Sequence, residues 1–399
     1  MAYVAVKGGR EAVAESIRLL EKCRASGRQD LELEAVEKRM GLLIDRIMGE
    51  AGLYAPGYAA LALKQSEGSP EEAVFLLRAY RSTLSRSCLS LPLDGADMVI
   101  HRRISAAFKD IPGGQFLGAT YDYTHRLLNF DLMNEAPASA GTAPAGGEEP
   151  EQAAAPENVG AIHAPRVSEE LKREGLITVN NDEREPWDIT EHPLCFPAPR
   201  SARLQALARA DTGYIGGLAY AAIRGFGSGH PTVGELRTGT LAVTIPHPLI
   251  EGERLFVGDI TVTEVEALFP EEEAKTKKEN REDPLRILSS GQGDKADTSV
   301  NTLSLGAGYG LVFGRNDTKA IAMSILDYFL GDSAEKAGDR EEGIASVLRN
   351  EEFVLLHGDS LEMNGFISHL KLPHYVTFQS KLDRVRHTRR HNGGSDDQL

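Results

Sequence analysis

The sequence predicts an α+β fold, a mixed α/β chain in which a largely helical N-terminal region, residues 1–132, precedes a strand-and-helix region, residues 161–388. Three observations carry this prediction. Apolar residues recur at helical spacing early in the chain, as in Val13, Ile17 and Leu20 and again in Val36, Met40, Leu43 and Ile47. Short runs of β-branched and aromatic residues crowd the second half. Between them, from Met133 to Gly160, the composition turns to Ala, Pro, Gly, Ser and Glu with no lysine or arginine, which predicts a disordered linker or insertion because it holds too little apolar surface to offset chain ordering.

Taken in order, Tyr3 to Val6 reads as a short strand, and the two apolar stripes read as helices with core faces, the second ending near Gly49 and Gly52. Ser69-Pro70-Glu71-Glu72 is a helix start: serine as N-cap, proline at the first helical position, glutamate three after the cap. That helix is expected to run to about Arg86. Strands are expected at Leu241 to Ile245, Leu255 to Val257, Ile260 to Val265, Leu311 to Phe313 and Phe353 to Leu356. Helices are expected at Ser201 to Ala210, Asp317 to Phe329 and Phe378 to His387. The charge-dense stretch from Glu271 to Glu282 reads as a loop, and residues 389–399 as a disordered tail.

Composition narrows the function. The 399 residues exceed the usual single-core size, and acidic residues outnumber basic ones 59 to 44. A net charge of -15 argues against a general nucleic-acid binder, whose affinity comes from neutralising phosphates, but leaves room for a small phosphorylated ligand in a local cationic pocket. Cys23, Cys88 and Cys195 are far apart with no Cys-x-x-Cys pair, so no iron-sulfur cluster or self-contained zinc ribbon is legible. With no leader pattern and no run of about 18 apolar residues, a cytoplasmic protein outside the membrane is expected.

Several places suit an anion. Lys7-Gly8-Gly9-Arg10 joins a strand to a helix, so its backbone N–H groups could face an anion, or the glycines could simply make a tight turn. Arg78 and Arg81, three apart on one helix, suit an anion or a partner carboxylate. Arg102 and Arg103 approach Lys109-Asp110-Ile111-Pro112-Gly113-Gly114-Gln115 and the hydroxyls and histidine of Thr120 to His125, a set that suits phosphate or ribose or a solvated surface loop. Gly306-Ala307-Gly308-Tyr309-Gly310 precedes a strand rather than opening a helix, so it is not a dinucleotide fingerprint, and no Walker loop is present. The His-Pro pairs at His192, His230 and His247 fit turns, while the glycine-dense approach to His230 from Arg224 could bring backbone near a ligand. His369 and His374 stand five apart across Pro373, which permits a bend that would turn both imidazoles to one point. They form half a metal site or two separately satisfied residues; structural zinc usually takes four ligands.

The opening Tyr3 to Gly9 and the segment Gly365 to Val376 together carry a resemblance. So do Ala60 to Gln65, Phe75 to Arg81, Lys109 to Gln115, Tyr121 to Leu128, His230 to Arg237, Thr263 to Glu266 and Thr318 to Asp327. On these residues the chain resembles the PhnI family of the bacterial carbon-phosphorus lyase system, over nearly its whole length apart from the two expansions near 133–160 and 271–282. The resemblance implies a subunit that detaches the base from a purine nucleoside triphosphate. With PhnG, PhnH and PhnL it would pass the ribose triphosphate of ATP to an alkylphosphonate such as methylphosphonate, releasing adenine; alone it would act as a nucleosidase. It further implies a core assembly with PhnG, PhnH and PhnJ, and a zinc ion at the boundary with PhnJ held by His369 and His374. Magnesium is expected with the ATP.

Such chemistry resembles glycoside cleavage: positive charge grows on the sugar and the base leaves more easily when protonated. It calls for carboxylates near sugar and base, for which Asp122, Glu235, Glu264 and Glu266 are the candidates in the matching segments. It also calls for cations and backbone donors at the triphosphate, for which Lys7, Gly8, Gly9, Arg78, Arg81, Arg102, Arg103, Gly113 and Gly114 are the candidates. The alternative is a non-catalytic scaffold that completes a metal or active site on PhnJ.

Overall fold

The structure is a computed structural model and describes residues 9–25, 31–134, 164–177, 185–226, 230–272, 303–331 and 347–392. The expected strand Tyr3–Val6, most of the 133–160 linker and of the charged loop, and the end of the tail lie outside these residues. In chain order the regular elements are α1 (Gly9–Arg24), α2 (Leu33–Arg39), α3 (Gly41–Ala51), α4 (Pro56–Gln65), α5 (Pro70–Arg81), β1 (Val99–Ile104), α6 (Val167–Arg173), α7 (Arg200–Arg209) and α8 (Thr212–Ala221). They continue with β2 (Thr232–Pro246), β3 (Arg254–Glu272), β4 (Leu303–Phe313), α9 (Asp317–Leu330), α10 (Glu351–Leu356), α11 (Ser360–Ser368) and α12 (Tyr375–Asn392). The chain is therefore α+β, as expected.

It divides into two compact units, one formed by residues up to Thr83 and from His357 onward, the other by Leu84 to Leu356. The division differs from the expected domains at 132 and 161 because β1 pairs with β2, which draws residues 84–134 into the sheet unit. Pairing between distant strands is a long-range choice that local periodicity does not report.

The first unit is helical. Ser69 Oγ accepts from Glu72 N–H at 3.3 Å and Pro70 opens α5, as the start signal predicts, but the helix ends at Arg81 rather than Arg86. The expected second helix is broken at Met40, whose φ of -111° separates α2 from α3. Val36 and Ile47 are buried with Ile44, Met48, Leu63, Val74 and Leu77, whereas Met40 is exposed. Gly52, with φ +67°, closes α3 in the left-handed conformation that favours glycine, its N–H donating to Met48 O at 2.9 Å. α1 forms where expected, but Val13, Ile17 and Leu20 are exposed among the described residues rather than core. Periodicity states which side chains share a face and is silent on what covers it.

The second unit is built on one antiparallel sheet in the order β1-β2-β3-β4. Three expected strands near 241, 260 and 311 are parts of the longer β2, β3 and β4, and Leu255 to Val257 joins Ile260 to Val265 in one strand. Leu236, Val265, Ala267, Phe269 and Val312 face α7, α8 and α9 in one core. α9 lies against β4 where Gly308 and Gly310 leave no side chain: a Cβ on either would strike the carbonyl oxygen of Ser324 or Ala320. The helices expected at 201–210 and 317–329 are α7 and α9, and that at 378–387 lies within α12. Phe353 to Leu356, expected as a strand, is part of α10 with Val354 and Leu355 buried; a four-residue apolar run fits either form.

Candidate functional site

The sheet face opposite α9 holds a buried charged cluster between two small apolar ones, Leu268 with Val167 and Leu171 on one side and Leu241 with Val262 and Met98 on the other. Strand residues two apart share a face, so Glu235 and Arg237 on β2 and Glu264 and Glu266 on β3 point the same way. The register aligns Arg103, Arg237 and Glu264 in one row, and Glu235, Glu266 and Tyr309 in the next. Arg103, Arg237, Glu235 and Glu264 are all buried, the most exposed of them only 4%. A buried charge survives only when paired and hydrogen-bonded, and here the three carboxylates meet three arginines, Arg166 at the start of α6 being the third.

The pairing is specific at each atom. Arg103 donates from Nε to Glu235 Oε1 at 2.6 Å, from Nη1 to the carbonyls of Pro112 and Gly114, and from Nη2 to that of Pro165 at 2.9 Å. The other oxygen of Glu235 accepts from Val167 N–H at 3.1 Å. Glu264 accepts from Arg237 Nη2 at 2.5 Å, Arg166 Nη2 at 3.1 Å and the Tyr309 hydroxyl at 3.2 Å. Burial raises the pKa of Tyr309, and the charge of Glu264 raises it further, so the phenol stays a donor.

Glu266 differs from its neighbours. Its Oε1 accepts from Ser168 Oγ at 3.0 Å and lies 3.7 Å from Arg166 Nη1, and its side chain is 14% exposed. Burial raises its pKa above the ordinary carboxylate value; the Ser168 hydrogen bond and the Arg166 charge only partly offset this, while Glu264 and Glu235 add to it. A carboxyl that holds its proton to higher pH, at the edge of a charge-balanced cluster, has the property that general-acid chemistry needs.

Glu235 and Glu264 are saturated by donors and serve to hold Arg103, Arg237 and Arg166 in place. Arg102 belongs to the other face: Nε donates to Asp317 at 3.1 Å, Nη2 to Asp122 at 2.6 Å, and Nη1 to Leu117 O. Burial raises the pKa of Asp317, with Arg102 opposing. Asp122, half-exposed, is thus a partner for Arg102 and stands apart from the glutamates. Gly113 and Gly114, with φ near +84° and +80°, turn the chain around Arg103; a Cβ on Gly113 would press on Ala164 and Arg103.

The structure gives several of the anion candidates internal partners. Arg102 and Arg103 are spent on internal carboxylates and carbonyls, and the glycine pair presents a carbonyl to Arg103. Arg78 donates to Asp359 at 2.6 Å and to Glu50 O at 2.6 Å, while Arg81 donates to Gly52 O at 3.2 Å, so both tie the helical unit together. Guanidinium spacing in sequence looks the same for either use. Lys7 and Gly8 lie outside the described residues; Gly9 opens α1, exposed, at φ +52°. Four site members went unnoticed in the sequence. Arg237 sits two residues from Glu235 on a strand, a signal that alternation could have supplied, whereas Arg166, Ser168 and Tyr309 reach the cluster only through the fold.

His369 and His374 lie together at the end of α11 and the start of α12, their ring centroids 5.5 Å apart and their planes at 80°. His369 Nδ1 is hydrogen-bonded to Phe366 O, which leaves Nε2 for a metal; His374 Nε2 is 3.4 Å from His369 O, which leaves Nδ1. A carbonyl on the second ring nitrogen is the usual support of a ligating histidine. Among the described residues no group of three or more His, Cys, Asp and Glu is placed to hold a metal ion, and the pair has no third ligand of these types beside it. Phe366, Ile367, Leu370, Val376 and Phe378 around it are all more than half exposed.

The family model described as "Bacterial phosphonate metabolism protein (PhnI)" matches residues 2–392. The chain is 40% identical over 406 residues to the alpha-D-ribose 1-methylphosphonate 5-triphosphate synthase subunit PhnI of Rhizobium meliloti, covering 99% of this chain and 98% of that protein. It is 40% identical over 389 residues to the subunit of the same name from Escherichia coli, covering 96% and 97%. With a family model matched over nearly the whole length and relatives 40% identical over it, the chain belongs to the PhnI family of bacterial phosphonate metabolism proteins.

Proposed function

We propose that this chain is the PhnI-type subunit of an alpha-D-ribose 1-methylphosphonate 5-triphosphate synthase, acting in the cytoplasm with PhnG, PhnH, PhnJ and PhnL. It displaces adenine from ATP by the oxygen of methylphosphonate, and cleaves the nucleotide with water when alone. The observation that carries this reading is full-length identity of 40% to relatives bearing that name. Glu266 is the group assigned to protonate the leaving base, with Arg166 and Ser168 holding its carboxyl and the buried glutamates holding the arginines. Magnesium accompanies the ATP as part of the substrate.

The test is release of free adenine from ATP and magnesium by the purified chain. Glu266→Gln should lower it by about 10²–10⁴-fold, the usual worth of a positioned acid. Full activity in a folded Glu266→Gln variant would rule out the assignment, and no base release by the parent, alone or with its partner subunits, would favour the scaffold reading. His369 and His374 are proposed to hold zinc with ligands from a partner subunit, which supports the exposed apolar surface beside them as the docking face. His369→Ala or His374→Ala should remove zinc from the assembled complex while leaving base release intact; zinc retained in both single variants would sink the ligand assignment.

A further inference from the structure

α12 carries a second histidine pair that the proposed reaction does not use. His387 and His391 are four residues apart, so one helical turn stacks them on one face. Their Nε2 atoms are 3.0 Å apart, their ring centroids 4.2 Å, and both residues are exposed. Two imidazole nitrogens cannot face each other at that distance with bare lone pairs. Something positive must lie between them: a proton carried by one ring, or a metal ion bonded to both.

The spacing says which ion fits. With metal–nitrogen bonds of about 2.0–2.1 Å, nitrogens 3.0 Å apart subtend about a right angle at the metal. That is the angle between neighbouring ligands in square or octahedral coordination, the geometry of copper(II) and nickel(II), and it is tighter than a tetrahedral ion prefers. His369 and His374, with centroids 5.5 Å apart against 4.2 Å here, form the wider pair. Asp383 stands one turn before His387 on the same face and is 3.8 Å from Arg386. Arg389 and Arg390 in the last turn oppose a cation, so the two imidazole bonds must carry the affinity.

We propose that His387 and His391 form a surface chelate for a tetragonal divalent transition-metal ion, separate from the His369–His374 pair. Water fills the positions that the helix leaves open. Because the ligands are one turn apart on a helix that is already formed, no rearrangement of the backbone is needed for binding.

The test uses the full chain without an affinity tag, carrying His369→Ala and His374→Ala so that the first pair cannot answer, and Cys23→Ser, Cys88→Ser and Cys195→Ser so that the three exposed thiols cannot bind or reduce the metal. Copper(II) is titrated and followed by calorimetry and by electron paramagnetic resonance. One ion per chain with two coordinated nitrogens is expected. Adding His387→Ala or His391→Ala should reduce the coordinated nitrogens to one and weaken binding by at least about tenfold, the lesser cost of disturbing a metal site. Both side chains are exposed, and an unchanged far-ultraviolet dichroism spectrum would establish that α12 persists in the variants. If either single variant keeps the parent's copper affinity and nitrogen count, or if the background chain binds no copper, the proposal fails and the close contact is a shared proton.

Discussion

Arg103 shows how much one side chain can organise. It is fully buried, and its four donor contacts close a circle around Glu235, the carbonyls of Pro112 and Gly114, and that of Pro165. Arg103→Ala would leave Glu235 buried and lacking its charged partner, and should cost about 3–5 kcal/mol. Urea unfolding followed by the fluorescence of Trp187, the single tryptophan, would measure it. Arg103→Lys should rescue little, because an ammonium cannot present the same fork of donors. Glu266 predicts the opposite sign. Its folded pKa is raised above 4.5, so the folded chain keeps a proton that the unfolded chain has released. Stability from this group therefore falls as pH rises from 4.5 through the raised folded value, and stays lower above it. Glu266→Gln should be at least as stable as the parent at neutral pH, with any advantage vanishing below the ordinary carboxylate range; an unfolding series across pH in both proteins checks this.

Among elements, the contact of α9 with β4 depends on what is missing from the strand. Gly308 and Gly310 let the backbone of α9 approach so closely that a methyl group would meet the Ser324 or Ala320 carbonyl oxygen, a rigid neighbour that cannot swing aside. Gly308→Ala should cost about 1–3 kcal/mol or more through forced backbone shifts. Gly217→Ala is the contrasting case: it lies exposed inside α8 with nothing within 4 Å of a new Cβ, and should stabilise the helix by about 0.5–1 kcal/mol. Thermal unfolding of the two variants side by side separates crowding from glycine loss in general. The glycines that superficially suggested a nucleotide loop are therefore a packing device.

On the scale of the whole chain, both units keep their own core while large apolar side chains stay exposed around His369 and His374. Exposed apolar side chains are what the proposed partner subunit would cover. The segment 136–160 bears on assembly in the other direction. Its composition gives it little to bury, so excising it should leave partner binding and base release unchanged, as read by co-purification and by the adenine assay. A soluble deletion variant that no longer joins its partners would show that the segment is part of the interface.

Composition and local pattern were enough for the class of fold, the Ser69 cap and the positions of α7 and α9, because each rests on interactions within a few residues. The matching segments likewise sufficed for the family. Tertiary structure decided the rest. It joined β1 to β2 across more than a hundred residues and split the expected helix at Met40. It sent the arginines expected at a phosphate, Arg102 and Arg103, to carboxylates on opposite faces of the sheet. It also brought Arg166, Ser168 and Tyr309 to the candidate glutamates, and so distinguished Glu266 from Glu235 and Glu264. The physical reason is that a charged residue has the same sequence signature whether it meets a ligand or an internal partner. Only the register of the strands and the packing above them determine which oxygen lies within reach and how much water remains around it.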